Sequence, residues 1–388
     1  MGKKIKLSKP FIDLKERKLV DSVLKKGWLT NGPLTQKFEE QVNRIIGSKF
    51  SIAVNSCTNG IIAAIEALNL KKGDEILTTP MTFVSVIHAL ELFELKIKLI
   101  DVNLNNFSLS LKNIKKNISK KTKCVLVTHY GGIPVDTKNI TNFCKKKKIY
   151  VIEDCATAFG AKINNKMVGS SNYSISIFSF YANKVITTGE GGVITLRDNK
   201  LASKIRNIIS CGINKDPWKR SSEKKMWIYD VKNFGFKFNF TDLQAAVGIG
   251  QLNKLNRIIK KRNQIRKFYN RYFSTLIKKK LVFVFEEIKN YKFSEYIYTL
   301  LLNKKKLKSN RDHLIDFLNL KGINTTVHYI PANKHNYYKK KFKKFNLKNS
   351  DYIYENIVSL PFHNHLDKNQ LLKVAKNVNL FFIKNEKK

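Results

Sequence analysis

Between residues 51 and 196, short apolar runs of strand length alternate with stretches whose apolar residues recur at helical spacing. Runs at 51–55, 75–79, 96–102, 124–128, 150–153, 174–180 and 193–196 read as strands. Helical patterns at 61–68, 84–92, 114–119 and 140–146 lie among them. Strands separated by helices cannot pair as hairpins. They need crossover connections, which give a mostly parallel sheet covered by helices on its faces. Two amphipathic helices are expected ahead of it, at 14–24 and 34–46. Behind it, one long basic helix at about 245–276 is expected to lead into a smaller unit. That unit has strands at 281–285, 296–302 and 325–329 and helices at 311–320 and 368–378. The chain therefore reads as α/β, with a large domain over residues 1–250 and a small C-terminal α+β domain over 251–388.

Ligands of such sheets bind at the C-terminal ends of the strands, and that is where the chemically able residues fall. The stretch 178–192, F-S-F-Y-A-N-K-V-I-T-T-G-E-G-G, carries Lys184 between a strand and a glycine-rich turn. A lysine becomes a covalent catalyst when its amine is partly desolvated and held against a carbonyl, as in a Schiff base with pyridoxal phosphate (PLP). The stretch 150–160, Y-V-I-E-D-C-A-T-A-F-G, presents Asp154 at a strand end. PLP needs such a carboxylate, because its pyridine nitrogen must stay protonated for the ring to accept electrons. Residues 54–60, V-N-S-C-T-N-G, read as a polar turn around Cys57 and Thr58 that opens a helix, and a helix N-terminus binds phosphate. Residues 78–83, T-T-P-M-T-F, place Phe83 just after a strand, where a ring can stack.

These four stretches, in this order, resemble the DegT/DnrJ/EryC1/StrS family of PLP-dependent sugar aminotransferases. The likeness runs from residue 27 to about residue 361. It implies PLP-dependent transferase fold type I, like aspartate aminotransferase, with a mostly parallel seven-stranded sheet. It implies that Lys184 carries PLP and moves protons as base and acid, and that Asp154 partners the pyridine nitrogen. Ser179 and Thr58, with Cys57 beside it, match the phosphate-binding positions, and Phe83 matches the ring that stacks on the cofactor. Thr157 falls where the family has His or Gln near the ring hydroxyl. The segment 235–248, G-F-K-F-N-F-T-D-L-Q-A-A-V-G, resembles an element that reaches a partner's cofactor phosphate across a dimer interface. Asn239 is the candidate there and Lys237 the alternative. Trp28, in the loop 27–33, and His328, in H-Y-I-P at 328–331, match substrate-side positions. Some relatives carry His in place of the lysine and dehydrate sugars; Lys184 favours transamination. The implied reaction moves an amino group, with glutamate the expected donor, to a keto group of a nucleotide-linked sugar. The product would serve polysaccharide, glycan or secondary-metabolite synthesis, and the expected assembly is a homodimer with shared sites.

The formal net charge of +44, from 73 Lys and Arg against 29 Asp and Glu, raises a competing class, a basic nucleic-acid-binding protein. The lysines are spread along the whole chain and far outnumber arginines, and the abundant Lys, Asn and Ile share AT-rich codons. No nucleic-acid partner is therefore expected. A regulatory homologue or a dehydratase on the same fold is the alternative within the class. Residues 201–230 read as a basic, Trp-bearing insertion and residues 337–348 as a solvated basic surface. His129, after a strand, reads as a structural histidine or an acid–base group. Five cysteines, Cys57, Cys124, Cys144, Cys155 and Cys211, lack metal-like spacing, so no metal is expected and reduced thiols in a cytoplasmic protein are. The polar start and the lack of a run of about eighteen apolar residues point to no secretory signal and no membrane partner.

Overall fold

The computed structural model describes residues 4–213, 218, 221, 225 and 227–387. Apart from Trp218, the basic stretch at 215–220 thus lies outside the described residues. Helices α1 (Leu14–Lys26) and α2 (Pro33–Ile46) come first. Asp13 caps α1 in a capping box with Glu16, and Gly27 ends it in the left-handed conformation at φ 75°. Proline at the first position of α2 fits the one place in a helix that needs no N–H.

The alternating region then unfolds as read. It runs β1 (Phe50–Val54), α3 (Cys57–Ala67), β2 (Glu75–Thr78), α4 (Val84–Leu92), β3 (Lys96–Leu99), α5 (Leu111–Asn117), β4 (Thr122–Thr128), α6 (Lys138–Lys146) and β5 (Tyr150–Asp154). A small hairpin of β6 (Lys162–Ile163) and β7 (Lys166–Met167) precedes β8 (Ser174–Ser179) and β9 (Gly192–Leu196). Seven strands form one sheet in the order β1-β9-β8-β5-β4-β2-β3. Only β9 runs against its neighbours, pairing antiparallel with β1 and β8. The other contacts are parallel, as crossover connections require. Every residue of β2, β8 and β9 is buried. The sheet is sandwiched by helices, so both faces of these strands are covered, and β8 (S-I-S-I-F-S) buries its serines as well as its apolar residues.

The second part of the chain departs from expectation in several places. Residues 201–209, expected within the insertion, belong to α7 (Asn199–Ile209), capped by Asp198, with Ala202, Ile205, Ile208 and Ile209 buried. The single long helix is instead three: Asp242–Leu252, Leu255–Tyr272 and Ser274–Lys278. The first break falls at Asn253 and Lys254, where Lys254 is 7% exposed and its ammonium meets Asp13 at 3.1 Å and Glu16 at 2.6 Å. Burying that charge against α1 fixes the bend more strongly than helical propensity resists it. Residues 325–329 make only the isolated bridge Thr326↔Ser359 rather than a strand. The strand in that sheet is β13 (Ile357–Leu360), paired with β12 (Tyr298–Leu302), which also pairs with β10 (Val282–Phe283). A short β11 (Tyr291–Lys292) extends the β6–β7 hairpin. Residues 337–348 are not a solvated surface throughout. Tyr338 and Phe342, on the helix Asn336–Phe342, are buried in the core of the large sheet, and the Tyr338 hydroxyl donates to Glu91 at 2.7 Å. Tyr338 and Phe342 mark an inner helix face, while Tyr337 and the lysines between face water. A separate apolar cluster packs the helices Leu255–Tyr272, Arg311–Leu320 and Lys368–Asn385 around β12 and β13.

Candidate active site

Lys184 lies on a tight excursion between β8 and β9. Phe180 N donates to Gly191 O at 2.8 Å and Thr188 N to Phe180 O at 2.9 Å, which closes the loop's base. Lys184 N donates to Tyr181 O at 3.0 Å. Gly189 takes φ 83°, which an L side chain resists. At Gly192 a Cβ would stand 2.8 Å from the Cys57 amide nitrogen, so glycine lets β9 start directly against the head of α3. The Lys184 ammonium rests over the ring of Tyr296, with Nζ 4.7 Å from the centroid.

Asp154, the last residue of β5, is 4% exposed. Its Oδ2 accepts from the Thr82 hydroxyl at 3.1 Å and the Thr128 hydroxyl at 3.4 Å. Its Oδ1 accepts from Ala156 N at 3.1 Å. Three donors on one carboxylate fix its orientation. Cys57 and Thr58 lie in the first turn of α3, not in a turn before it, and the helix is capped by Ser56 Oγ, which accepts from Asn59 N at 3.1 Å. The first amides of that helix have no partners within it, which leaves donors for an anion. The Cys57 thiol is pushed well up by burial and then by the charge of Asp154, while Lys184 pulls it down. Cys57, Asp154 and Lys184 thus share one electrostatic neighbourhood.

His328 belongs to the same group. It is 8% exposed and bonded to Ser359 Oγ at 2.8 Å. Burial and then the charge of Lys184 push it down to about 4, so it is neutral at ordinary pH. Tyr329 lies beside it. The Tyr329 phenol is held well above its ordinary value by burial, then by Tyr296, Tyr130 and Asp154. Phe83 caps the N-terminal end of α4, is 60% exposed, and meets Tyr329 edge-on at 6.2 Å. Ser179 is buried at the end of β8, and its hydroxyl accepts from Tyr181 N at 3.3 Å.

Trp28, Lys237 and Asn239 have other partners. Trp28 is half-buried, donates Nε1 to Asn31 O at 3.0 Å, and meets Trp218 edge-on at 4.7 Å. Asn239 bridges Val54 at the end of β1, and its side-chain oxygen is buried without a partner among the described residues. Lys237 is exposed and bridges Ser210. Further along the segment of Asn239, Gln244 Nε2 donates to Glu190 O at 2.7 Å in the turn after Lys184. Thr157 points elsewhere. Its hydroxyl donates to His129 O at 2.7 Å and accepts from Gly132 N at 3.1 Å, so it is engaged in the frame beneath the site. His129 is fully buried, with Nε2 2.9 Å from Glu153 and Nδ1 accepting from Val135 N at 3.0 Å. His129, Glu153 and Cys155 bring ligand-type atoms within 4.8 Å of one another. Both ring nitrogens of that histidine are already bonded, which makes the cluster part of the core.

Thr82, Thr128 and Tyr296 were not among the residues expected at the site. The threonines had a signal, since each sits at or just beyond a strand end with a hydroxyl to donate. Tyr296 had none: it meets Asn183, 113 positions away, through its hydroxyl at 3.4 Å. Among the described residues no disulfide forms, and no helix is long and apolar enough to cross a membrane.

The chain is 37% identical over 373 residues to an uncharacterized protein of Methanocaldococcus jannaschii, covering 95% of each. It is 33% identical over 359 residues to the spore coat polysaccharide biosynthesis protein SpsC of Bacillus subtilis, covering 92% of this chain and 91% of SpsC. Its fold superposes on PseC of Helicobacter pylori, an aminotransferase involved in the biosynthesis of pseudoaminic acid. There the TM-score is 0.90 at 26% identity, covering 98% of this chain and 100% of PseC. The model of the DegT/DnrJ/EryC1/StrS aminotransferase family matches residues 10–379. The chain belongs to that family, with the type I PLP-dependent transferase fold and pyridoxal phosphate as its cofactor.

Proposed function

We propose that this protein is a sugar aminotransferase that moves an amino group from glutamate to the keto carbon of a nucleotide-linked sugar. The observation that carries the reading is the buried Asp154 carboxylate, held by two hydroxyls and an amide, in the same charge neighbourhood as Lys184. The donor set fits PLP: a carboxylate for the pyridine nitrogen, the open first turn of α3 and Ser179 for the phosphate, and a free amine for the aldehyde. Family membership and the polysaccharide role in SpsC's name support the sugar substrate.

When bound, PLP supplies an electron sink for the donor's α-carbon. Lys184 carries the proton between that carbon and the cofactor's reactive carbon, as base and then as acid. Asp154 keeps a proton on the pyridine nitrogen, and Thr82 and Thr128 hold Asp154 in line. Phe83 offers a ring face, and Asn239 and Cys57 border the phosphate end. His328, Trp28 and Lys237 face the substrate side. In this reading residues 1–250 carry the cofactor and residues 251–388 bring Tyr296, His328 and Tyr329 against it. The working unit is a homodimer, for which light scattering should return about twice 44.9 kDa, and the enzyme is cytoplasmic.

The test is the visible absorption of the protein with PLP, before and after glutamate. Glutamate should bleach the yellow absorption of the lysine-bound cofactor, and keto-sugar nucleotides should restore it. No yellow absorption would overturn the enzyme reading, and absorption that glutamate leaves unchanged would overturn the donor. Lys184→Ala should keep its circular dichroism and lose turnover; an active variant would refute the role of Lys184.

A further inference from the structure

The amine of Lys184 rests on an aromatic face. Its Nζ stands 4.7 Å from the centroid of the Tyr296 ring. Tyr296 is itself 4% exposed and is fixed from several sides. Its hydroxyl donates to Asn183 Oδ1 at 3.4 Å, on the residue just before Lys184. Its backbone carbonyl accepts from Arg262 Nη1 at 3.1 Å, and the carbonyl of Glu295 accepts from the same nitrogen at 3.2 Å. Glu295 holds a left-handed φ of 60°, a conformation a non-glycine residue keeps only when its surroundings enforce it. Here Arg266 Nε at 2.9 and 3.0 Å and Asn263 Nδ2 at 2.9 Å supply that enforcement on its carboxylate. One residue earlier, Ser294 Oγ donates to Thr157 O at 2.6 Å, which ties the segment to the frame under β5.

An aromatic face attracts an ammonium and not a neutral amine. A ring held this firmly beneath Lys184 defines where its side chain waits whenever it is not bonded to the cofactor. We propose that Tyr296 is a positioning residue for Lys184: its ring face seats the free amine. The proposal rests on reading Lys184 as the cofactor-bearing lysine.

The test uses the cofactor-free protein, so it returns a result whether or not the protein proves to transaminate. Lys184 is acetylated with an isotopic reagent at neutral pH, and its labelling rate is read by mass spectrometry. Tyr296→Leu removes the ring, and Lys184 should label about fivefold faster. Tyr296→Phe keeps the ring and should restore the slow rate. Lys254, 7% exposed and paired with Asp13 and Glu16, is the internal control and should not change. A parental rate in Tyr296→Leu, or a fast rate in Tyr296→Phe, overturns the proposal. Should Lys254 also label faster in Tyr296→Leu, that variant has loosened, and Tyr296→Met, which fills the space without an aromatic face, decides. Faster Lys184 labelling there, with Lys254 unchanged, supports the seat, and a parental rate overturns it.

Discussion

Asp154 and His328 show what burial beside Lys184 does to ordinary side chains. At the Asp154 carboxylate, three donors replace the water it has lost. Asp154→Asn should lower turnover by about 100-fold or more and loosen the cofactor, measured by steady-state kinetics and equilibrium dialysis. Thr82→Val removes one donor and should weaken cofactor retention by about tenfold, in line with a hydrogen bond to a charged group. Burial and the charge of Lys184 push His328 down to about 4 from 6.5. The unfolded chain takes up a proton at this histidine below about pH 6.5, and the folded chain does so only near 4. Stability must therefore fall as pH drops through that window, by at most about 2 kcal/mol at pH 5 from this residue. In urea titrations, His328→Gln should lose less stability than the parent between pH 7 and pH 5. His363, pushed down to about 4 mainly by burial, acts in the same window in both proteins.

At the scale of elements, the helix Asp242–Leu252 ties α2 to the turn after Lys184. Thr241 and Gln244 close a capping box at its start. Asp242, 4% exposed, caps a second helix at the same time. Its carboxylate accepts from Leu34 N at 3.1 Å, Thr35 N at 2.8 Å and the Thr35 hydroxyl at 2.8 Å, all at the head of α2. One side chain thus joins two helices and sits where a helix N-terminus favours negative charge. Asp242→Ala should cost about 2–3 kcal/mol by urea unfolding, more than an ordinary cap, because it strands several buried donors. The cap at Thr241 was legible, since Thr and Gln stand at capping-box spacing. The partnership of Asp242 with α2 was not, because it spans 207 positions.

Across the whole molecule, Arg262 joins the helix Leu255–Tyr272 to the segment bearing Tyr296 and to Asn364. It is 3% exposed, and burial pushes it down to about 10. It donates to Glu295 O, Tyr296 O and Asn364 Oδ1. Arg262→Met should destabilise the protein by about 3 kcal/mol, since it leaves those acceptors unpaired in the interior. The check is the urea midpoint at constant slope. The net charge of +44 is carried mainly by lysines spread along the chain. It belongs to solubility and to long-range attraction of anions, not to the fold.

The sequence alone determined the alternation of strands and helices, and with it the parallel sheet and the strand ends where Lys184, Asp154, Ser179, Thr58 and Phe83 stand. Those features are local: period, length and turn chemistry are written within a few residues of one another. It misjudged the long helix at 245–276, the strand at 325–329 and the buried face of residues 337–348. There the outcome depends on what each segment packs against, as with Lys254 drawn to Asp13 and Glu16. Only the tertiary structure set Thr82 and Thr128 on Asp154 and Tyr296 under Lys184. Contacts between residues tens to more than a hundred positions apart leave no periodic trace in the chain, and they exist only once the sheet and the second core have brought the segments together.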